Sequence, residues 1–145
     1  MEESRRTQLQ QCTNDIPQFS LAGLHTLVKI VDVYDGDTFR ACFFMSDDAS
    51  TAVKFSCRAQ GYDSPEIRPR RNIPDRDAVI AAARAARDHF KKLVRFDSDT
   101  LVEATFGKFD KYGRPLVTLY LDGVNINDSM VESGHGYEYH GGKKK

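Results

Sequence analysis

Residues 33–40 read VYDGDTFR, that is Val33-Tyr34-Asp35-Gly36-Asp37-Thr38-Phe39-Arg40. Two aspartates flank one glycine between apolar runs. Upstream, Leu24 to Tyr34 is rich in Val, Ile and Leu and predicts a strand. Asp35-Gly36 is a two-residue hairpin signal, because a type I′ turn needs positive φ at both central residues. The return strand is expected over Thr38 to Met45. After the loop SDDAS at 46–50, a third strand is expected over Ala52 to Tyr62. Its alternation puts Val53, Phe55 and Cys57 on one face and Lys54, Ser56 and Arg58 on the other.

Ser64-Pro65-Glu66 ends that run, and a long polar loop follows from Ile67 to Pro74. Asp75 or Asp77 is expected to cap a helix reaching about Phe96. Val79, Ala82, Ala83, Ala86, Phe90, Leu93 and Val94 recur at helical spacing and predict its apolar face. Two more strands, Thr100 to Phe106 and Pro115 to Leu121, are joined by Lys108-Phe109-Asp110-Lys111-Tyr112-Gly113-Arg114. Val124 to Ser133 reads as a short helix, started by Asn125 or Asn127 and stopped by Gly134. Five short strands with a helix between the third and fourth predict an α+β fold, a five-stranded Greek-key barrel of the OB type. The domain is expected over 24–140, with an N-terminal extension, partly disordered, at 1–23 and a basic tail at 141–145.

The 145 residues suffice for one core. With 21 basic and 21 acidic residues the formal net charge is zero, so nucleic acid would have to be held by a local patch. Cys12, Cys42 and Cys57 are an odd set that predicts free thiols in a reducing compartment. The charged start and the lack of a long apolar run predict a soluble, intracellular protein of cytoplasm or nucleus, away from membranes, with a monomer as the default expectation. His25, His89, His135 and His140 lack the paired spacing of a zinc site.

Chemistry is expected at strand ends. Asp37 begins the second strand, while Asp63 and Glu66 follow the third, and a meander can bring the three together. Unpaired carboxylates at close quarters repel, and a hard cation such as Ca²⁺ removes that cost, with a backbone carbonyl near Ser64 as a further ligand. Arg58 and Arg114 offer the forked donors that match phosphate oxygens. A metal, a spare carboxylate and two arginines are the parts needed to hydrolyse a phosphodiester. Each motif alone has a plainer reading: a surface hairpin, a solvated strand arginine, an Asx turn and a polar loop.

Asp37-Thr38, Arg58, Asp63-Ser64-Pro65-Glu66, Asp110-Lys111-Tyr112-Gly113-Arg114 and Asp122-Gly123-Val124-Asn125-Ile126-Asn127, in this order, resemble the staphylococcal (thermonuclease-type) nuclease family from about Leu24 to Tyr139. The resemblance implies a Ca²⁺-dependent, sugar-nonspecific endonuclease acting on DNA and RNA, with single-stranded or frayed stretches preferred, and leaving 3′-phosphate ends. It implies Asp37 and Asp63 as Ca²⁺ ligands, with the Ser64 carbonyl standing where the family usually has Thr. Glu66 would be the general base or the residue that orients water. Arg58 and Arg114 would clamp the phosphate, and Asp35 would be an outer carboxylate. Lys111 and Tyr112 would lie near a terminal phosphate, with Tyr139, ahead of Tyr137, against a base. Three features depart from the family. The loop from Ile67 to Arg76 is longer and carries Arg68, Arg70, Arg71 and Arg76, either a solvated basic loop or a patch that tracks a phosphate backbone. No sequence remains for the family's third C-terminal helix, and residues 1–23 are expected to cover the barrel floor in its place. The C-terminal tyrosines could equally be a packed edge. The alternative function is a catalytically inactive module of the same fold that binds single-stranded nucleic acid.

Overall fold

The computed structural model describes residues 1–139. Period-2 alternation produces strands β1 (His25–Val33), β2 (Thr38–Phe43) and β3 (Val53–Ala59), paired antiparallel in sequence order. On their inner faces Val28, Ile30, Val33, Phe39, Ala41, Phe43, Cys57 and Ala59 are buried. The free edge of β1 pairs antiparallel with β5 (Val102–Phe109), and β5 with β6 (Pro115–Leu121). β6 then runs parallel to β3 through Arg58↔Leu116 and Ala59↔Val117, closing a five-stranded barrel. The OB-type architecture expected from the order of elements is the one that forms.

Between β4 (Tyr62–Asp63) and β5 lies α2 (Arg76–Leu93). It buries Ala83, Ala86 and Phe90 against the barrel, with Val94 just beyond, and the Phe90 ring stacks on Phe39 at 5.4 Å. Ala82, expected on that face, is exposed. Asp75 occupies the N-cap position at φ 54°, and its side chain makes no capping bond, since capping needs extended backbone there. α3 (Ile126–Glu132) is capped as expected by Asn125, whose Oδ1 accepts from the Asp128 N–H at 3.0 Å.

The two Asp-Gly pairs behave differently. Asp122 and Gly123 sit at φ 51° and 79°, and this two-residue turn pairs Leu121 with Val124 of β7 (Val124–Asn125). Asp35 and Gly36 take no positive φ, so the type I′ turn expected there is replaced by a wider loop in which the Tyr34 N–H donates to the Thr38 carbonyl at 3.0 Å. Glycine is needed at position 36 for space. A Cβ there would lie 2.8 Å from the Ser64 Cβ and 3.0 Å from the Ala86 Cβ. The absence of a side chain lets the β1–β2 loop lie against β4 and α2.

Upstream, α1 (Glu3–Gln10) buries none of its residues, and every residue from Met1 to Ser20 is exposed. The expected cover of the barrel floor by residues 1–23 is therefore limited to Leu21, which is buried, and the Phe19 ring, 6.2 Å from Phe109. After α3 the described residues form β8 (Tyr137–Glu138) and no further helix. His140 and the basic tail 141–145 lie outside the described residues. No helix of the described residues is long and apolar enough to cross a membrane.

Asn127 ties these parts together. Its Oδ1 accepts from the Leu119 N–H at 3.0 Å, and its Nδ2 donates to the carbonyls of Gln60 at 2.8 Å and Val117 at 3.0 Å. One buried amide thereby joins α3, β6 and the turn after β3. Asn127→Ala leaves these backbone groups unsatisfied and is expected to cost about 2–4 kcal/mol. Urea unfolding should show a lower midpoint with an unchanged slope.

Candidate active site

The β1–β2 loop, the polar face of β3, β4 and the β5–β6 hairpin enclose a cleft of about 1210 Å³. Its geometry is set by backbone tethers. The Tyr62 hydroxyl donates to the Gly36 carbonyl at 2.6 Å, and the Ser64 N–H donates to Asp37 Oδ2 at 2.9 Å. The Ala59 N–H donates to the Asp37 carbonyl at 2.8 Å. These bonds hold the loop that carries Asp37 against the end of β3 and the start of β4. Asp37 and Asp63 are thereby buried side by side, at 4% and 1% exposure.

Arg58 spans them. Its Nη1 lies 3.0 Å from Asp37 Oδ2, and its Nη2 donates to Asp63 Oδ1. Burial disfavours the guanidinium charge, but Asp37 and Asp63 more than offset it and raise the Arg58 pKa above its ordinary value. Asp35 lies behind, its Oδ1 accepting from the Asp37 N–H at 3.0 Å. Burial first, and then the charge of Asp37, pushes the Asp35 carboxyl from 3.8 up to about 7.

The donor set suits a hard cation. Asp63 Oδ2 is buried without a hydrogen-bond partner among the described residues, and two acids share one guanidinium while a third, Asp35, stands beside Asp37. The side chains alone do not complete a cage, since no group of three His, Cys, Asp or Glu among the described residues is placed to hold an ion. Backbone oxygens and solvent would have to supply the remainder.

On the opposite wall, Asp110 organises the hairpin. Its Oδ1 accepts from the N–H groups of Tyr112 and Arg114, each at 2.9 Å, and its Oδ2 from Arg114 Nε at 2.8 Å. Burial would raise its pKa, but these donors and the Arg114 charge hold it below the ordinary value. The Arg114 Cζ lies 5.3 Å from the centre of the Tyr112 ring and Lys111 Nζ lies 5.2 Å from it. The C-terminal segment returns as β8, which pairs with β4, and the Tyr139 N–H donates to the Gly61 carbonyl at 2.9 Å. This places the Tyr139 ring 5.6 Å from the Arg58 Cζ.

Of the residues singled out in the sequence, Asp35, Asp37, Arg58, Asp63, Glu66, Lys111, Tyr112, Arg114 and Tyr139 line the cleft. Ser64 does not line it and lies buried beneath, and Tyr137 is not part of the lining. Glu66 is exposed on the rim. Sequence reasoning gave no role to Gln60 and Lys108, which also line the cleft, nor to Asp110 as the residue that holds Arg114. The four-residue spacing from Asp110 to Arg114 across a glycine turn was the available signal for the last. The rings of His89 and His135, distant in sequence, lie 4.6 Å apart away from this lining.

Residues 56–144 match the family described as staphylococcal nuclease homologue. An uncharacterized protein of Bacillus anthracis is 32% identical over 126 residues, which cover 84% of this chain and 53% of that protein. The chain thus spans about half the length of the curated relative it matches. Arg58, Asp63, Glu66 and Arg114 fall inside the family match, while Asp35 and Asp37 lie upstream of it.

Without bound cation, the folded protein keeps the Asp35 proton up to about pH 7, whereas the unfolded chain gives it up near 3.8. Between those values the folded state binds more protons, so stability falls as pH rises through the window. Asp35→Asn keeps the acceptor for the Asp37 N–H and removes the charge. In EDTA it is expected to melt higher than the parent at pH 8, with the difference vanishing by about pH 4.

Proposed function

The chain belongs to the staphylococcal nuclease homologue family, and on that premise we propose that it is a Ca²⁺-dependent, sugar-nonspecific endonuclease that hydrolyses phosphodiester bonds of DNA and RNA and leaves 3′-phosphate ends. The observation that carries this reading is the gathering of Asp37, Asp63, Glu66, Arg58 and Arg114 on one cleft. Asp37 and Asp63 would hold Ca²⁺, with the Ser64 carbonyl as the ligand that the family resemblance adds. Bound there, the ion supplies Lewis-acid polarisation of a phosphoryl oxygen. Glu66, on the rim, takes the proton of the attacking water. The guanidinium groups of Arg58 and Arg114 donate to the non-bridging oxygens, where charge grows in the transition state. The water oxygen bonds to phosphorus as the bond to the 5′ oxygen breaks, and that oxygen takes a proton from solvent. Asp110 acts through Arg114 by fixing Nε, while Nη1 reaches the Thr38 hydroxyl at 3.5 Å and Nη2 is left for phosphate. Tyr112, at 71% exposure, and Tyr139 offer ring faces to unstacked bases, which favours single-stranded or frayed substrate.

A second reading has one observation in its favour. Arg58 pairs with both Asp37 and Asp63 without a metal, as a module that binds single strands and does not cut them would require.

The two readings separate on labelled single- and double-stranded DNA and RNA incubated with Ca²⁺ or EGTA. The nuclease is expected to cut only with Ca²⁺, and Glu66→Gln to lose about 10²–10⁴-fold in rate. The same variant should keep a Ca²⁺-induced rise in melting temperature, because Glu66 is not among the proposed ligands. Arg58→Lys should also fail to turn over, since a point charge cannot replace the fork. Binding without cutting under every metal tried would transfer the protein to the second reading.

A further inference from the structure

The loop from Glu66 into α2 carries a run of positive charge that begins in the cleft at Arg68 and continues beyond it. Arg68, Arg70 and Arg71 are exposed, and none of Arg68, Arg70, Arg71 and Arg76 makes an ion pair among the described residues. By contrast Arg40, Arg87, Arg95 and Arg114 each meet a carboxylate, and Arg58 meets two. Residues 67–76 hold four arginines and one acid, Asp75, so the segment has a positive excess in a chain whose formal net charge is zero. The Arg76 Nε is itself buried without a partner among the described residues. The loop is also stiffened. Pro65, Pro69 and Pro74 fix φ along it, and Pro69 is buried, with Arg68 and Arg70 exposed on either side of it. A pre-set loop spends little conformational entropy when it meets a ligand. Arg68 lines the cleft together with Glu66, while Arg70 and Arg71 lie next along the chain and outside the cleft lining.

We infer that residues 68–71 form a phosphate-tracking arm that continues the cleft outward, so that the protein holds a single polynucleotide strand beyond the scissile bond and discriminates by strand length. The inference rests on a nucleic-acid strand being the occupant of the cleft. Guanidinium forks fit successive phosphates irrespective of base, and a neutral protein has no overall field to substitute for them. Each phosphate neutralised on a single strand adds about 0.7 to the salt dependence of binding, which makes the arm countable.

The test uses the full chain in EDTA, where no cutting occurs, and follows the anisotropy of labelled oligothymidylates of about four and about twenty nucleotides between about 50 and about 200 mM salt. The parent should bind the longer strand more tightly. Arg70→Ala/Arg71→Ala should weaken the longer strand about tenfold at the lowest salt and lower its log–log salt slope by about 1.4, with the shorter strand changed less than about twofold. Arg70→Lys/Arg71→Lys should keep the parental slope, because the charge is retained. An alanine variant with parental affinity and slope on the long strand overturns the arm and leaves the cleft reading standing. So does an equal loss on both lengths. Binding of the parent to anionic phosphatidylserine vesicles as tight as to the long strand, lost in the alanine variant, overturns it in favour of a lipid surface. A parent that binds neither strand overturns the cleft reading and the arm with it.

Discussion

Two carboxylates buried side by side are tolerable only if a cation lies between them, and Arg58 is that cation. The register of the meander brings it there, since Thr38 pairs with Arg58 and Asp37 therefore lies beside the same rung. The surrounding tethers, from Tyr62 to Gly36, from Ser64 to Asp37 and from Ala59 to Asp37, hold the acids where the guanidinium reaches both. Removing Arg58 would leave two uncompensated charges in the interior. The same residue thus makes the burial of both acids electrostatically possible and lines the cleft, its two terminal nitrogens turned to the acids.

The second arginine is held by a different principle. Arg114 is anchored by one acid four positions earlier within a single hairpin, close to an exposed aromatic ring. Arg58 depends on three strands meeting, whereas Arg114 depends on local turn chemistry. One arginine is therefore set by the meeting of strands and the other by the turn chemistry of its own hairpin.

Much of this was legible in the residues themselves. Apolar, β-branched runs between turn signals located β1, β2 and β6 to within a few positions, and alternation located β3, because one face of each must be buried. The apolar periodicity of α2 named Ala83, Ala86 and Phe90 correctly but also named Ala82, which shares their composition and not their face. The Asp-Gly signal was misread at Asp35-Gly36, while the two-residue turn that forms at Asp122-Gly123 went unread. A glycine required for a left-handed turn and one required for close packing look alike in sequence, and only the tertiary neighbours Ser64 and Ala86 tell them apart. α1 carries no apolar face, so the pattern that revealed α2 was absent there. The site's charged residues were legible through motif order, but the bridging of both acids by Arg58 was not. It arises from strand register, as does the meeting of β4 with β8 that brings Tyr139 beside it.

The barrel closes through a parallel pairing of Arg58 with Leu116, residues far apart along the chain. A contact of such long range requires a large loop to be closed before it repays the entropy of closure. A nascent chain that has emerged only as far as β3 already contains Asp37 and Arg58, yet it has no opposite wall and no Arg114. The cleft with both walls exists only in the finished barrel.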